Sequence, residues 1–143
     1  MKDKYIVHFI SKTKKRMIKF IEGELKNSEL NDLIPTHGNV LTALYESSEK
    51  LTMKDIAQII SKDKSTVTPL INKLVKLGYI RKQKSDADGR VTFIELTEKG
   101  RAVRPSYENI SRKINATAFN GFSDEEKKEF LRLLKKLNKN FKS

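Results

Sequence analysis

The sequence predicts a mainly α-helical chain with one small β-hairpin. Three observations carry that expectation. Apolar residues recur at helical spacing in successive segments of the 143-residue chain. The period changes to that of strands once, after Gly78, and returns to helical at Thr97. Between the two extended runs lies "DADG" at 86–89, which is turn chemistry.

The first helix is expected over 3–26. Ile6, Phe9, Ile10, Met17, Phe20, Ile21 and Leu25 form one stripe, with Lys12, Lys14, Lys15, Arg16 and Lys19 off it. The stripe is long for a helix in a small domain, so part of it is expected to pack against another subunit. "NDLIPTHGN" then breaks the chain, and Thr36 is the expected cap of a second helix that turns Val40, Leu41 and Leu44 inward and ends near Ser47. In "LTMKDIAQII", Thr52 and Asp55 make a variant of the capping box, and Leu51 with Ile56 can form a hydrophobic staple. This third helix should end near Ile60.

"SKDKS" is a tight turn into a fourth helix whose core face is Val67, Leu70, Ile71, Leu74 and Leu77. Two caps are open, Asp63 and Ser65, so the helix starts at Lys64 or at Thr66. Pro69 lies inside the pattern, which predicts the later start or a bend at the proline. Gly78 fits a left-handed C-cap. "YIRKQKS" and "VTFIELT" are the two strands. Thr97 caps a helix running to Phe119 that Pro105 should bend. After "NGF", Ser123 and Glu126 form a capping box for the last helix, with Phe130, Leu133, Leu134, Leu137 and Phe141 on one side.

The formal net charge is +12, from 30 Lys+Arg against 18 Asp+Glu, which points to a polyanionic partner. From Ser61 to Arg90, eight bases (Lys62, Lys64, Lys73, Lys76, Arg81, Lys82, Lys84, Arg90) face three acids (Asp63, Asp86, Asp88), a local net of +5. The chain has no cysteine, which excludes disulfides, thiol catalysis and cysteine redox sensing. An enzyme is not expected. There is no phosphate-binding glycine loop, and His8 and His37 are the only histidines. The acids Asp124, Glu125, Glu126 and Glu129 begin a helix, where they favour the macrodipole, and Lys127 and Lys128 between them argue against a metal. No cofactor and no metal is expected. With no apolar run of membrane-spanning length and no signal-peptide core, a cytoplasmic location is expected and a membrane is not.

A capped short helix, a tight turn, a second helix and a basic hairpin together are the winged helix-turn-helix pattern. The second of those helices is sized for the DNA major groove, and the hairpin, or wing, reaches sideways. Ser65, Thr68, Pro69, Asn72 and Lys76 lie opposite the apolar face of that helix. Residues 51–100 resemble the DNA-binding core of the MarR family of transcriptional regulators. "STVTPLINKLVKLGYI" at 65–80, "DGR" at 88–90 and "LTEKG" at 96–100 carry the resemblance, and the flanking helices extend it over nearly the whole chain.

The resemblance implies a single domain over 1–143, with dimerisation helices at about 1–27 and 101–143 and a DNA-binding lobe at about 36–100. It implies a homodimer on a pseudo-palindromic double-stranded operator. Such proteins usually repress transcription, and many release DNA on binding a small, often aromatic, anionic ligand. Ser65, Thr66, Thr68 and Asn72 match recognition-helix contacts. Arg90 matches a minor-groove arginine, and Asp88 the acid that orients it. Lys62, Lys64, Lys73, Arg81, Lys82 and Lys84 are expected at phosphates. Many members carry arginine where this chain has Pro69, and an aspartate where it has Ser85. His37 lies near the family's ligand crevice, where it could meet an anion or could make only a local hydrogen bond. The competing function is a winged-helix module that binds protein and does not read DNA.

Overall fold

A computed structural model describes residues 1–142. The chain divides into two compact units, Met1–Ile110 and Ser111–Ser143. In the first unit a single turn of 3-10 helix, Asp3–Tyr5, leads into α1 (Ile6–Lys26). There follow α2 (Pro35–Glu46), β1 (Leu51–Thr52), α3 (Met53–Ile59), α4 (Lys64–Lys76), β2 (Ile80–Lys84), β3 (Thr92–Leu96) and α5 (Glu98–Ala102). α6 (Arg104–Ala118) runs across the division, and α7 (Asp124–Asn140) lies in the second unit. Ser143, the last residue of the expected dimerisation segment, lies outside the described residues.

The core of the first unit is where α2, α3 and α4 meet the sheet. Val40, Leu41, Ile56, Val67, Ile71, Leu74, Tyr79 and Ile80 are all but inaccessible to solvent. The sheet has three strands in the order β1-β3-β2, all antiparallel, where the sequence had predicted a hairpin alone. β1 is only two residues long, too short to show a period, and pairs Leu51 with Ile94 and Thr52 with Phe93. Thr52 therefore does two jobs. It ends a strand, and it caps α3 through the expected reciprocal box with Asp55 (3.1 and 2.9 Å).

Two expectations at helix ends are corrected. Thr36 is not the cap of α2. Ile34 holds that position, Pro35 takes the first helical residue, where its missing N–H costs nothing, and the ring of His37 accepts the Ile34 N–H at 3.1 Å. The single helix expected from Thr97 is two, α5 and α6, parted at Val103. Pro105 sits in the first turn of α6, a permitted position, so it does not bend a continuous helix.

In the second unit, Ser123 and Glu126 close the expected capping box of α7 (3.0 and 2.9 Å). Phe119, Phe122 and Phe130 pack edge-to-face. Phe130, Leu133 and Leu134 of α7 and Phe141 at its C-cap are exposed, as are Ile6, Phe9, Ile10 and Met17 of α1.

Candidate nucleic-acid interface

The helix-turn-helix is built by caps at each of its joints. α3 ends at Ile59, with Ile60 as its C-cap and Ser61 in the left-handed region (φ 56°). Lys62 N–H then reaches Ala57 O at 3.0 Å and Ser61 N–H reaches Gln58 O at 3.2 Å, the Schellman pairing, with serine where glycine is usual. Asp63 caps α4, accepting the Thr66 N–H at 2.7 Å, so α4 starts at Lys64. The Ser65 hydroxyl donates to the same carboxylate (2.7 Å), and this contact, followed by the Thr66 side chain and then the Thr66 N–H, holds the Asp63 pKa below the usual carboxylate range. α4 continues as helix through Pro69 to Lys76. At the far end Gly78 (φ 87°) completes a second Schellman motif, with Tyr79 N–H on Leu74 O and Gly78 N–H on Val75 O, both 3.0 Å. The Lys99 ammonium caps the Leu77 carbonyl at 2.8 Å and lies over the Tyr79 ring.

Val67, Ile71 and Leu74 point α4 into the core, and this leaves Lys64, Ser65, Thr66, Pro69, Asn72, Lys73 and Lys76 exposed along the opposite side. The hydrogen-bonding groups on that side are not equally free. The Ser65 proton goes to Asp63. Thr68 is half-buried, and its hydroxyl donates back to Lys64 O at 2.7 Å beside Met53 Sδ. Asn72 Oδ1 accepts from Lys82 Nζ at 2.8 Å, so the helix is tied to the first strand of the wing.

The wing tip spans Ser85 to Val91. Ser85 N–H pairs with Val91 O (2.9 Å), and Val91 N–H with Asp88 O (3.0 Å). Ser85 Oγ accepts the N–H groups of Ala87 and Asp88 at 3.2 and 3.3 Å. A hydroxyl thus does here the turn-closing work for which an aspartate side chain is equally suited. Asp88 receives three donors from Arg90: its backbone N–H at 3.0 Å, and Nε and Nη2, each at 3.1 Å. Those contacts, the side-chain pair first, hold the Asp88 pKa below the usual carboxylate range. Arg90 remains 92% exposed at the tip, oriented from below.

Strand alternation sorts the basic residues of β2. Ile80 is buried, so Lys82 and Lys84 leave the strand on its side, where Lys82 reaches α4, and Arg81 leaves on the other. Arg81 pairs with Glu95 across the hairpin at 3.1 Å, and Lys50 approaches the same carboxylate at 3.7 Å. The structure therefore sets Arg81 on the other face of β2 from Lys82 and Lys84, with which the sequence groups it. Sequence reasoning missed the Lys82–Asn72 contact. The signal was there, since an apolar Ile80 in a strand implies the direction of Lys82.

His37 is buried at 3% exposure. Burial first, then the positive Lys73 nearby, lower its pKa, and Asp32 partly offsets them. A neutral ring that accepts at Nδ1 carries its proton on Nε2. Nearby, Tyr45 donates to Gly100 O at 2.6 Å, Tyr107 shares a hydrogen bond with Thr42, and the two tyrosine rings pack 5.0 Å apart. Burial, with the neighbouring Tyr107 second, pushes the Tyr45 hydroxyl up to about 12. Among the described residues no cluster of His, Asp or Glu could hold a metal.

A capped helix-turn-helix with a wing hydrogen-bonded to its second helix is a winged helix. A model of the MarR family matches residues 31–91. The HTH-type transcriptional regulator MgrA of Staphylococcus aureus is 34% identical over 98 residues, 68% of this chain and 65% of that protein. The match thus spans just under two thirds of that relative's length. SarZ of S. aureus, also an HTH-type transcriptional regulator, is 32% identical over 113 residues, 79% of this chain and 71% of its own. The solved complex of S. aureus MepR with DNA aligns over 99% of both chains with a TM-score of 0.84 at 24% identity. This chain belongs to the MarR family.

Proposed function

We propose that the protein is a DNA-binding transcriptional regulator of the cytoplasm, a repressor acting as a homodimer. α4 enters the major groove of each half-site, with half-sites about one helical turn apart. Arg90 enters the adjoining minor groove. Lys62, Lys64, Lys73 and Lys84 sit at phosphates. Ser65, Thr66, Thr68, Pro69 and Asn72 line the groove side of α4. The dimer is made by segments at about 1–27 and 101–143, around the lobe at about 36–100. The exposed apolar residues of α1 and α7 support that assignment, because a soluble chain keeps such stripes only where a partner covers them.

The observation that carries this reading is the joint geometry of α4 and the wing. The exposed side of α4 and the guanidinium of Arg90 belong to one hydrogen-bonded lobe with a local excess of base. The kinship with MgrA and SarZ supports it, and so does the fold shared with MepR, which was solved on DNA. No helix among the described residues is long and apolar enough to cross a membrane. Release of DNA by a small aromatic anion is part of the proposal, by family likeness. His37 is not placed at that ligand, since its ring is buried and already serves α2.

A salt titration of binding to a duplex carrying the chain's own promoter tests the proposal. Affinity should fall on the order of 10³-fold between about 50 and about 200 mM salt, because phosphate contacts release counterions. A flat response, or no binding, would favour a winged helix that engages protein instead.

A further inference from the structure

Asn72 stands on the exposed side of α4 with its amide joined to the wing by Lys82 Nζ at 2.8 Å. An ammonium has only donors, so its partner must be the carbonyl oxygen, and the orientation of the amide follows from chemistry alone. Oδ1 is occupied. The Nδ2 amino group keeps two N–H donors with no partner in the structure.

We propose that Lys82 is a positioning residue that biases Asn72 toward donating, so that α4 favours guanine at the base pair Asn72 meets. The inference rests on the DNA-reading function proposed above. An asparagine with a free amide pairs with adenine, giving an N–H to N7 and taking one from N6 at its own oxygen. Here that oxygen already faces an ammonium, whose charge and bulk disfavour a second donor such as the adenine N6 amino group at its remaining lone pair. Guanine offers two adjacent acceptors, N7 and O6, to the remaining amino group, and its major-groove edge asks for no acceptor in return.

Three further facts on the same surface agree. The Ser65 and Thr68 protons are committed to Asp63 and to Lys64 O, the Thr66 side chain also bonds Asp63, and Pro69 brings no hydrogen-bonding side chain, so Asn72 holds the unspent neutral side-chain donors of that stretch. The direction of Lys82 is imposed by the buried Ile80 two residues before it. Its neighbour Arg81 is drawn to Glu95 on the opposite side and does not compete for Asn72. The contact is exposed and contributes little to stability. Its effect is orientation.

The test is selection of bound sequences from a randomised duplex by the full chain, as wild type, Lys82→Met, Lys82→Arg and Asn72→Ala. Wild type should favour guanine over adenine about tenfold at one position of each half-site, the scale of a single side-chain reading. Asn72→Ala should flatten that position alone. Lys82→Met should move the same position toward adenine and leave the others unchanged, and Lys82→Arg, which still donates, should keep guanine. A uniform loss of affinity in Lys82→Met with guanine retained would overturn the proposal, leaving Lys82 a phosphate contact only. An unaltered profile in Asn72→Ala would overturn it too. Salt-insensitive retention with no base preference in wild type would instead overturn the DNA-reading function on which it rests.

Discussion

His37 sits in the first turn of α2 with its ring buried and Nδ1 accepting the Ile34 N–H. The sequence left two roles open for it, an anion contact or a local hydrogen bond, and the structure shows the local bond, because a histidine's role depends on which of its nitrogens is engaged and on its burial. The folded chain holds it neutral, with a pKa below the ordinary 6.5. Between the two values the unfolded chain binds more protons, so acid favours unfolding. This contribution to stability is complete above pH 6.5 and is lost as pH falls through the lowered folded value. Urea midpoints measured from neutral pH down to mildly acidic pH should fall for the wild type and fall less for His37→Gln. That variant can still accept at the cap but cannot titrate. Identical slopes would show that the ring does not control the response.

At the scale of elements, the joints were legible where their chemistry is local. The Thr52–Asp55 and Ser123–Glu126 boxes and the Gly78 cap lie within a few residues of the helix they serve, and all three form as read. What escaped depends on distant chain. β1 becomes a strand only because β3 is there to pair with it. The "LTEKG" segment shows why such a motif is constrained. Thr97 N–H donates to Tyr79 O at 3.0 Å, its hydroxyl donates to Gly78 O, and it accepts the Gly100 N–H at 3.1 Å. That folds α5 tightly over the end of α4. A Cβ on Gly100 would lie 2.1 Å from Tyr79 O, a backbone atom that cannot turn aside. Gly100→Ala should therefore cost about 3 kcal/mol, toward the upper end for overpacking. Gly38→Ala in α2, where a Cβ meets nothing within 4 Å, should not destabilise. Equal denaturant midpoints for the two variants would mean that the α4–α5 junction is looser than described.

For the molecule as a whole, charge and geometry divide the work. The net +12 supplies attraction to any polyanion and carries no sequence information. Arg90 is different, since it is placed at the wing tip by two contacts from its own Asp88. In the proposed complex it reads groove shape from the minor groove. Arg90→Ala should weaken operator binding by about 1–3 kcal/mol. It should leave the proposed dimer intact, because the apolar stripes of α1 and α7 are elsewhere in the chain. Gel-shift titration beside sedimentation would check both halves, and loss of the dimer would refute the placement of the wing.

Read alone, the sequence determined the order of the first four helices, the caps of α3 and α7, the place of the hairpin, the basic excess around α4 and the family likeness. Each depends on residues close in the chain or on composition. Only the tertiary structure decided which polar groups are still free. It set Arg81 against Glu95, turned the Thr68 hydroxyl back onto its own helix, buried His37, and joined Lys82 to Asn72. The physical reason is that a side chain's availability depends on what packs beside it, and across a sheet or between helix and strand those neighbours come from distant parts of the chain.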